Sequence, residues 1–162
     1  MKARFPAGLR LLVLDVDGVL TDGRLWFGAD GETLKAFHVR DGYGIKAVQR
    51  AGLEVGVISG RRSAAVERRC AELGIRHVRQ GCEDKAAALR ELLALTGAAP
   101  EQTVAIGDDS PDLPVLAIVG LPVAVADAHP DVRAAARYVT QLPGGHGAVR
   151  EVCDLLVEAA GQ

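Results

Sequence analysis

The chain is short of several things, and each shortage removes a class of protein. It has three cysteines, Cys70, Cys82 and Cys153, an odd number with no C-x-x-C spacing, so neither a disulfide framework nor a zinc knuckle is indicated. Each reads as a small buried or half-buried hydrophobe in a reducing compartment. Charge of either sign is not in excess. A net charge of −2 offers no electrostatic footprint for nucleic acid or an anionic membrane. No apolar run approaches the ~18 residues of a transmembrane helix. Met1-Lys2-Ala3-Arg4-Phe5-Pro6 contains no hydrophobic core of a signal peptide. These absences lead to the expectation of a cytoplasmic globular protein with neither nucleic acid nor membrane as partner. Aromatics make up only 4% of the sequence, yet the one tryptophan and two of the three phenylalanines fall between residues 24 and 38.

What is present is an ordinary globular composition, 49% hydrophobic and 25% charged over 162 residues, enough for one domain with a substantial core. The most informative stretch is Leu11-Leu12-Val13-Leu14-Asp15-Val16-Asp17-Gly18-Val19-Leu20-Thr21-Asp22-Gly23. Four consecutive apolar residues read as a strand buried on both faces, as in parallel sheets. Asp15 then lands at the carboxyl end of that strand, where open α/β sheets keep their ligands. Asp17 lies two positions on and can point to the same side. Two carboxylates ~4 Å apart at an effective dielectric of ~20 repel by about 4 kcal/mol, so a cation, a shared proton or a raised pKa is expected to relieve them. A simple Asx turn would use the same residues, and so would the start of a calcium loop, although its third acid and closing glutamate do not follow in register.

The rest of the chain alternates strands and helices. A β-hairpin is predicted over residues 24–38, with Leu25-Trp26-Phe27 and Thr33 to His38 on either side of Ala29-Asp30-Gly31. A lone hairpin is marginal in water, so this one is expected to act as a flap over a pocket, a subunit contact, or both. Strands follow at Glu54–Ile58, His77–Val78, Thr103–Ile106, Val123–Val125 and Tyr138–Val139. Helices are expected from Asp41 to Ala51, around Val66 to Leu73, from about Asp84 to Thr96, from Leu113 to Val119, from Pro130, and from Ala148 to Ala160. With no repeat, low-complexity tract or linker, residues 1–162 read as a single domain: α/β, a doubly wound parallel sheet with a hairpin flap after the first strand and a tail and helix over 143–162.

Three predicted strands end in reactive groups: Asp15 and Asp17, then Ser59-Gly60-Arg61, then Gly107-Asp108-Asp109-Ser110, with Lys85 at a helix start between the last two. Strand ends of one parallel sheet share one edge. Such an acidic edge suits a hard divalent cation, with Mg²⁺ bridging carboxylates to phosphate oxygens.

The order and wording of these motifs resemble the haloacid dehalogenase superfamily of phosphotransferases. Asp15-Val16-Asp17-Gly18-Val19-Leu20-Thr21, Ser59, Lys85 and Gly107-Asp108-Asp109-Ser110-Pro111-Asp112 resemble its four motifs in turn. Within it, Asp22-Gly23, Gly31-Glu32 with Lys35, Phe37 and Val39-Arg40-Asp41-Gly42-Tyr43-Gly44-Ile45, the Ala124 to Pro130 segment and Gly144-Gly145 to Cys153 are similar to the 3-deoxy-D-manno-octulosonate (KDO) 8-phosphate phosphatase family. The similarity spans about residues 9 to 158, with no cap insertion. It implies Asp15 as nucleophile, Asp17 as acid and base, and Ser59 and Lys85 as holders of the phosphoryl group. Asp15, the Asp17 carbonyl and Asp108 would bind Mg²⁺, with Asp109 in support behind them. Gly18, Gly60, Arg61, Lys35 and His146 would face the substrate, a small phosphorylated sugar acid. It also implies a homotetramer with active sites at subunit interfaces. Family members commonly carry arginine where this chain has His146, which leaves a sialic-acid-type 9-phosphate as an alternative substrate. A phospho-accepting signalling module is the alternative from another class, although such modules place the accepting aspartate on a later strand. His38, His77 and His129 lack a common metal spacing and read as structural, and Asp112 reads as a cap or brace for the Asp108 loop.

Overall fold

The computed structural model describes residues 5–161. Its chain order is β1 (Leu11–Leu14), β2 (Trp26–Gly28), β3 (Gly31–Leu34), α1 (Val39–Arg50), β4 (Glu54–Ile58), α2 (Ala64–Leu73), β5 (His77–Arg79), α3 (Lys85–Thr96), β6 (Thr103–Gly107), α4 (Leu113–Leu116), β7 (Leu121–Ala124), α5 (Pro130–Ala135), β8 (Tyr138–Val139) and α6 (Ala148–Ala160). Six strands form a parallel sheet in the order β5-β4-β1-β6-β7-β8, flanked by helices as in a doubly wound fold.

β1 is the central seam. Its Leu11–Leu14 run pairs with Glu54–Val57 of β4 on one side and Thr103–Ile106 of β6 on the other. All four of its side chains are buried, which is why the stretch reads as a continuous apolar run rather than an alternating one. Because the strands are parallel and in register, β1, β4 and β6 deliver Asp15, Ser59 and Asp108 to the same edge. α1 packs against α6, and α3 against α4, which closes the core around β1.

Two expected elements differ. The second hairpin strand stops at Leu34 instead of running to His38, because from Lys35 the chain turns inward to place that ammonium on Asp17. The helix expected over Leu113–Val119 is only the single turn of α4, entered through a 3₁₀ turn at Ser110–Asp112. It ends early because the chain must swing into β7 at Gly120, whose Cα lies against the Glu101 backbone with no room for a side chain. The cysteines are as expected: Cys70 and Cys153 are buried and Cys82 is half-buried, all free thiols.

Leu89 lies fully buried under α3, the helix that carries Lys85. Leu89→Ala is expected to cost about 2–5 kcal/mol by leaving a cavity. Urea unfolding checks this through a lower midpoint at an unchanged slope.

Candidate active site

β1 ends at Leu14, and the chain then makes a wide turn over Val16–Leu20, closed by the Thr21 N–H donating to the Val16 carbonyl at 3.1 Å. The turn passes through Gly18 at φ +89°, a conformation that L side chains rarely adopt. Gly18 also faces the Asp108 carboxylate so closely that any Cβ would collide with it. The Thr21 hydroxyl accepts from the Gly18 and Gly23 N–H groups at 3.2 and 3.1 Å, bracing the turn from within.

Lys85 opens α3 after Asp84, whose carboxylate accepts from the Ala87 N–H at 2.9 Å and caps the helix. Its side chain is only 8% exposed, and Nζ donates to Asp15 Oδ1 at 2.8 Å and to Asp112 Oδ1 at 2.7 Å. The other Asp112 oxygen accepts from the N–H groups of Asp108 and Asp109 at 2.9 and 3.3 Å. Asp112 thus braces the loop after β6 as expected, and it also pairs with Lys85, which the sequence reading did not anticipate. The clue lay in D-D-S-P-D, where a proline turn brings an acid four residues on back beneath Asp108.

Asp15, Asp108 and Asp112 each offer an oxygen within 4.8 Å of the others. Two site expectations are corrected here. Asp109 does not stand behind the cluster: it is exposed, and its carboxylate accepts from the Ser110 N–H at 2.7 Å to cap the 3₁₀ turn. The Asp17 carboxylate is not one of the clustered acids around Asp15. It turns to the hairpin side, where Lys35 Nζ donates to it at 2.6 Å and Arg61 Nε lies 3.9 Å away. The local turn, not strand alternation, sets these directions.

The hairpin and the loop after β4 form the opposite wall. The Lys35 side chain is 1% exposed and also reaches Glu32 at 3.0 Å. Glu32 accepts from the Ser63 hydroxyl at 2.8 Å and lies 3.6 Å from Arg61, whose guanidinium sits over the Phe27 ring. Ser59 is buried at the end of β4, its hydroxyl accepting from the Arg61 N–H at 3.3 Å, which leaves its own proton to give away. Gly60 is exposed beside it. His146 lies apart, in a groove of about 610 Å³ lined also by Arg40, Tyr138, Leu142 and Arg150, and none of the clustered carboxylates faces that groove. His38 and His129 cap α1 and α5, and His77 meets Glu54 at 3.2 Å, all structural roles.

Charge is unbalanced among these groups. Burial, reinforced by the Asp112 charge and opposed by Lys85, pushes Asp15 up to about 6. Burial together with the charge and contact of Asp15 pushes Asp108 up to about 9. For Lys85 burial acts downward, but the two carboxylates it touches outweigh it and raise its pKa. One ammonium does not neutralise three carboxylates, and the set fits a hard divalent cation. Both oxygens of Asp112 are already engaged, so Asp15 and Asp108 are the carboxylates left free to ligate.

Comparison with known proteins is consistent with this chemistry. A haloacid dehalogenase-like hydrolase family model matches residues 78–151. The KDO 8-phosphate phosphatase of Escherichia coli K12 is 54% identical over 154 residues, covering 95% of this chain and 82% of that protein. This chain belongs to the KDO 8-phosphate phosphatase family of haloacid dehalogenase-like hydrolases. Family structures superpose closely. The Yersinia pestis phosphatase matches at a TM-score of 0.93 and 54% identity, covering 96% of this chain and 84% of that one. The Moraxella catarrhalis phosphatase, solved with magnesium, phosphate and KDO, matches at 0.90 and 41% identity over 94% and 87%. The cobalt-bound Haemophilus influenzae phosphatase matches at 0.93 and 46% identity over 95% and 90%. No cap domain is present among the described residues.

The raised carboxyl pKa values have a direct consequence for the metal-free protein. An aspartate that ionises near 3.8 when unfolded but near 9 when folded keeps its proton in the folded state across the interval. The stability from this source should therefore be fully present below about pH 3.8 and be lost steadily as pH rises toward 9, by at most about 1.4 kcal/mol per pH unit for each group. Thermal unfolding in chelator from pH 5 to 9 checks the direction. Mg²⁺ must expel the Asp108 proton, so its apparent affinity should rise by up to about tenfold per pH unit between pH 6 and 9. Calorimetry in buffers of different ionisation enthalpy reads the released proton.

Proposed function

We propose that the chain is a Mg²⁺-dependent phosphomonoesterase that hydrolyses KDO 8-phosphate to KDO and phosphate through an aspartyl phosphate on Asp15. The observation that carries it is the Lys85 ammonium holding Asp15 beside Asp108 on one strand edge, and the similarity to a Moraxella catarrhalis phosphatase solved with magnesium, phosphate and KDO supports it.

Lys85 fixes one Asp15 oxygen at 2.8 Å and leaves the other to attack phosphorus. Splitting a hard hydrolysis into two displacements on a carboxylate lowers each barrier. Asp17 gives its proton to the departing sugar oxygen, then takes one from the water that attacks the aspartyl phosphate. The Ser59 hydroxyl and Lys85 donate to the equatorial oxygens. Asp15, Asp108 and the main-chain carbonyl of Asp17 would hold Mg²⁺, which when bound neutralises the carboxylates and withdraws charge from the phosphoryl oxygens. Gly18 and Gly60 leave the backbone open to the phosphoryl group.

Substrate selection falls to the hairpin wall. Arg61 presents an exposed cation beside Asp17, with Lys35 buried next to it between Asp17 and Glu32, a charge pattern suited to a sugar acid's carboxylate and hydroxyls. With no cap among the described residues, a small substrate needs further walls. Trp26, Phe27 and Leu34 on the two-stranded β2–β3 sheet and Leu25 just before it are exposed, Trp26 by 50% and Phe27 by 62%, which supports assembly through this hairpin. The reading includes a cytoplasmic homotetramer in which residues 24–38 act as flap and contact, and His146 approaches a neighbouring subunit's substrate. The chain is taken as one phosphatase domain, with residues 143–162 as its tail and helix.

Phosphate release from a panel of sugar-acid phosphates is the test. Release with KDO 8-phosphate at a kcat/KM at least about tenfold above a sialic-acid-type 9-phosphate is expected, and the reverse order would reassign the substrate. Asp15→Asn should remove turnover by about 10⁴-fold or more while leaving the fold intact. Lys35→Met should raise KM more than it lowers kcat, and an unchanged KM would take Lys35 out of substrate binding.

A further inference from the structure

We propose that Asp41, far from the chemistry in sequence and outside the site just described, is a positioning residue that holds the catalytic turn against Asp108 through α6. The inference rests on the catalytic roles proposed above. Asp41 lies in the first turn of α1 and is almost fully buried. Its own helix does not need it as a cap, because the His38 ring already accepts from the Arg40 N–H at 3.2 Å. Its carboxylate turns instead to the start of α6, where Oδ1 accepts from the Arg150 N–H at 2.9 Å. The Gly147 N–H faces the same group but falls short of a full hydrogen bond, and Oδ2 is buried without a partner among the described residues. A buried carboxylate is costly to retain, and the positive end of a second helix is a strong reason for one to stay.

What α6 carries into place is the turn before it. Gly145 donates its N–H to the Val19 carbonyl at 3.0 Å, inside the catalytic turn. Gly144 donates to Asp127 Oδ1 at 2.9 Å. A Cβ on Gly144 would strike the Gly18 carbonyl, and one on Gly145 would strike the Thr21–Asp22 peptide. Backbone therefore lies directly on backbone. Gly18, pressed from that side by Gly144, faces the Asp108 carboxylate on its other side. Asp41, α6, the Gly144–Gly145 turn, Gly18 and Asp108 form one continuous stack, so loosening its far end lets the turn drift from the carboxylate it must face.

Asp41→Ala, Asp41→Asn and Gly145→Ala test this in the full chain by two readouts that need no substrate. Hydrogen exchange of the peptide covering residues 16–22 should quicken by about tenfold in Asp41→Ala and in Gly145→Ala, with β1, β4 and β6 still protected. Calorimetric Mg²⁺ affinity should weaken by about tenfold in the same two variants. Asp41→Asn retains an acceptor for the Arg150 N–H and should recover most of both. Native exchange over 16–22 with native Mg²⁺ affinity overturns the inference. So does a uniform rise in exchange over every strand, which would make Asp41 plain scaffolding. Failure of the unaltered protein to release phosphate would sink the proposed activity without touching either readout.

Discussion

One buried ammonium holds the site together. Lys85 bridges Asp15 at the end of β1 to Asp112 beneath the loop after β6, so two strand ends are tied by a single charge delivered from the start of α3. Removing one partner of a buried ion pair typically costs about 3–5 kcal/mol, because the other is left uncompensated. Here the imbalance is deliberate: three carboxylates face one lysine, and the surplus negative charge is what makes a divalent cation welcome. The lysine fixes the direction of the Asp15 carboxylate, and the surplus suits a metal.

The fold serves this arrangement by geometry. A parallel sheet with β1 at its centre puts the ends of β4, β1 and β6 side by side, and the burial of β1 on both faces keeps Asp15 from shifting. The turn after β1 then separates two aspartates that are neighbours in sequence. Asp15 faces the lysine and the acidic cluster, while Asp17 faces Lys35 and Arg61 on the opposite wall. Two carboxylates two residues apart thus meet different electrostatic surroundings, because the turn after β1 sends them apart.

Much of the site was legible in the sequence because its signals are local. An apolar run ending in D-x-D-G, a strand ending in Ser-Gly and a capped helix opening with lysine each show in a few residues. The less legible parts depend on what a turn does with a side chain. Asp109 and Asp112 are both acids in one short loop, and only the 3₁₀ turn decides that the first points to solvent and the second inward. Likewise Lys35 stands on a hairpin in the sequence, and its side chain is buried because the hairpin leans onto Asp17.

The amino-acid sequence by itself determined the alternation of strands and helices, the centrality of β1 and the placing of Asp15, Asp108 and Lys85 at the ends of their elements. These follow from apolar run length and capping chemistry, which act over a few residues. Only the tertiary structure decided which carboxylates meet, that Asp17 faces a separate wall, and that Gly144 and Gly145 lie against the turn after β1. Those outcomes depend on contacts between segments about 20 to 130 residues apart. No local pattern encodes a distance of that kind; packing of the sheet and its helices sets it.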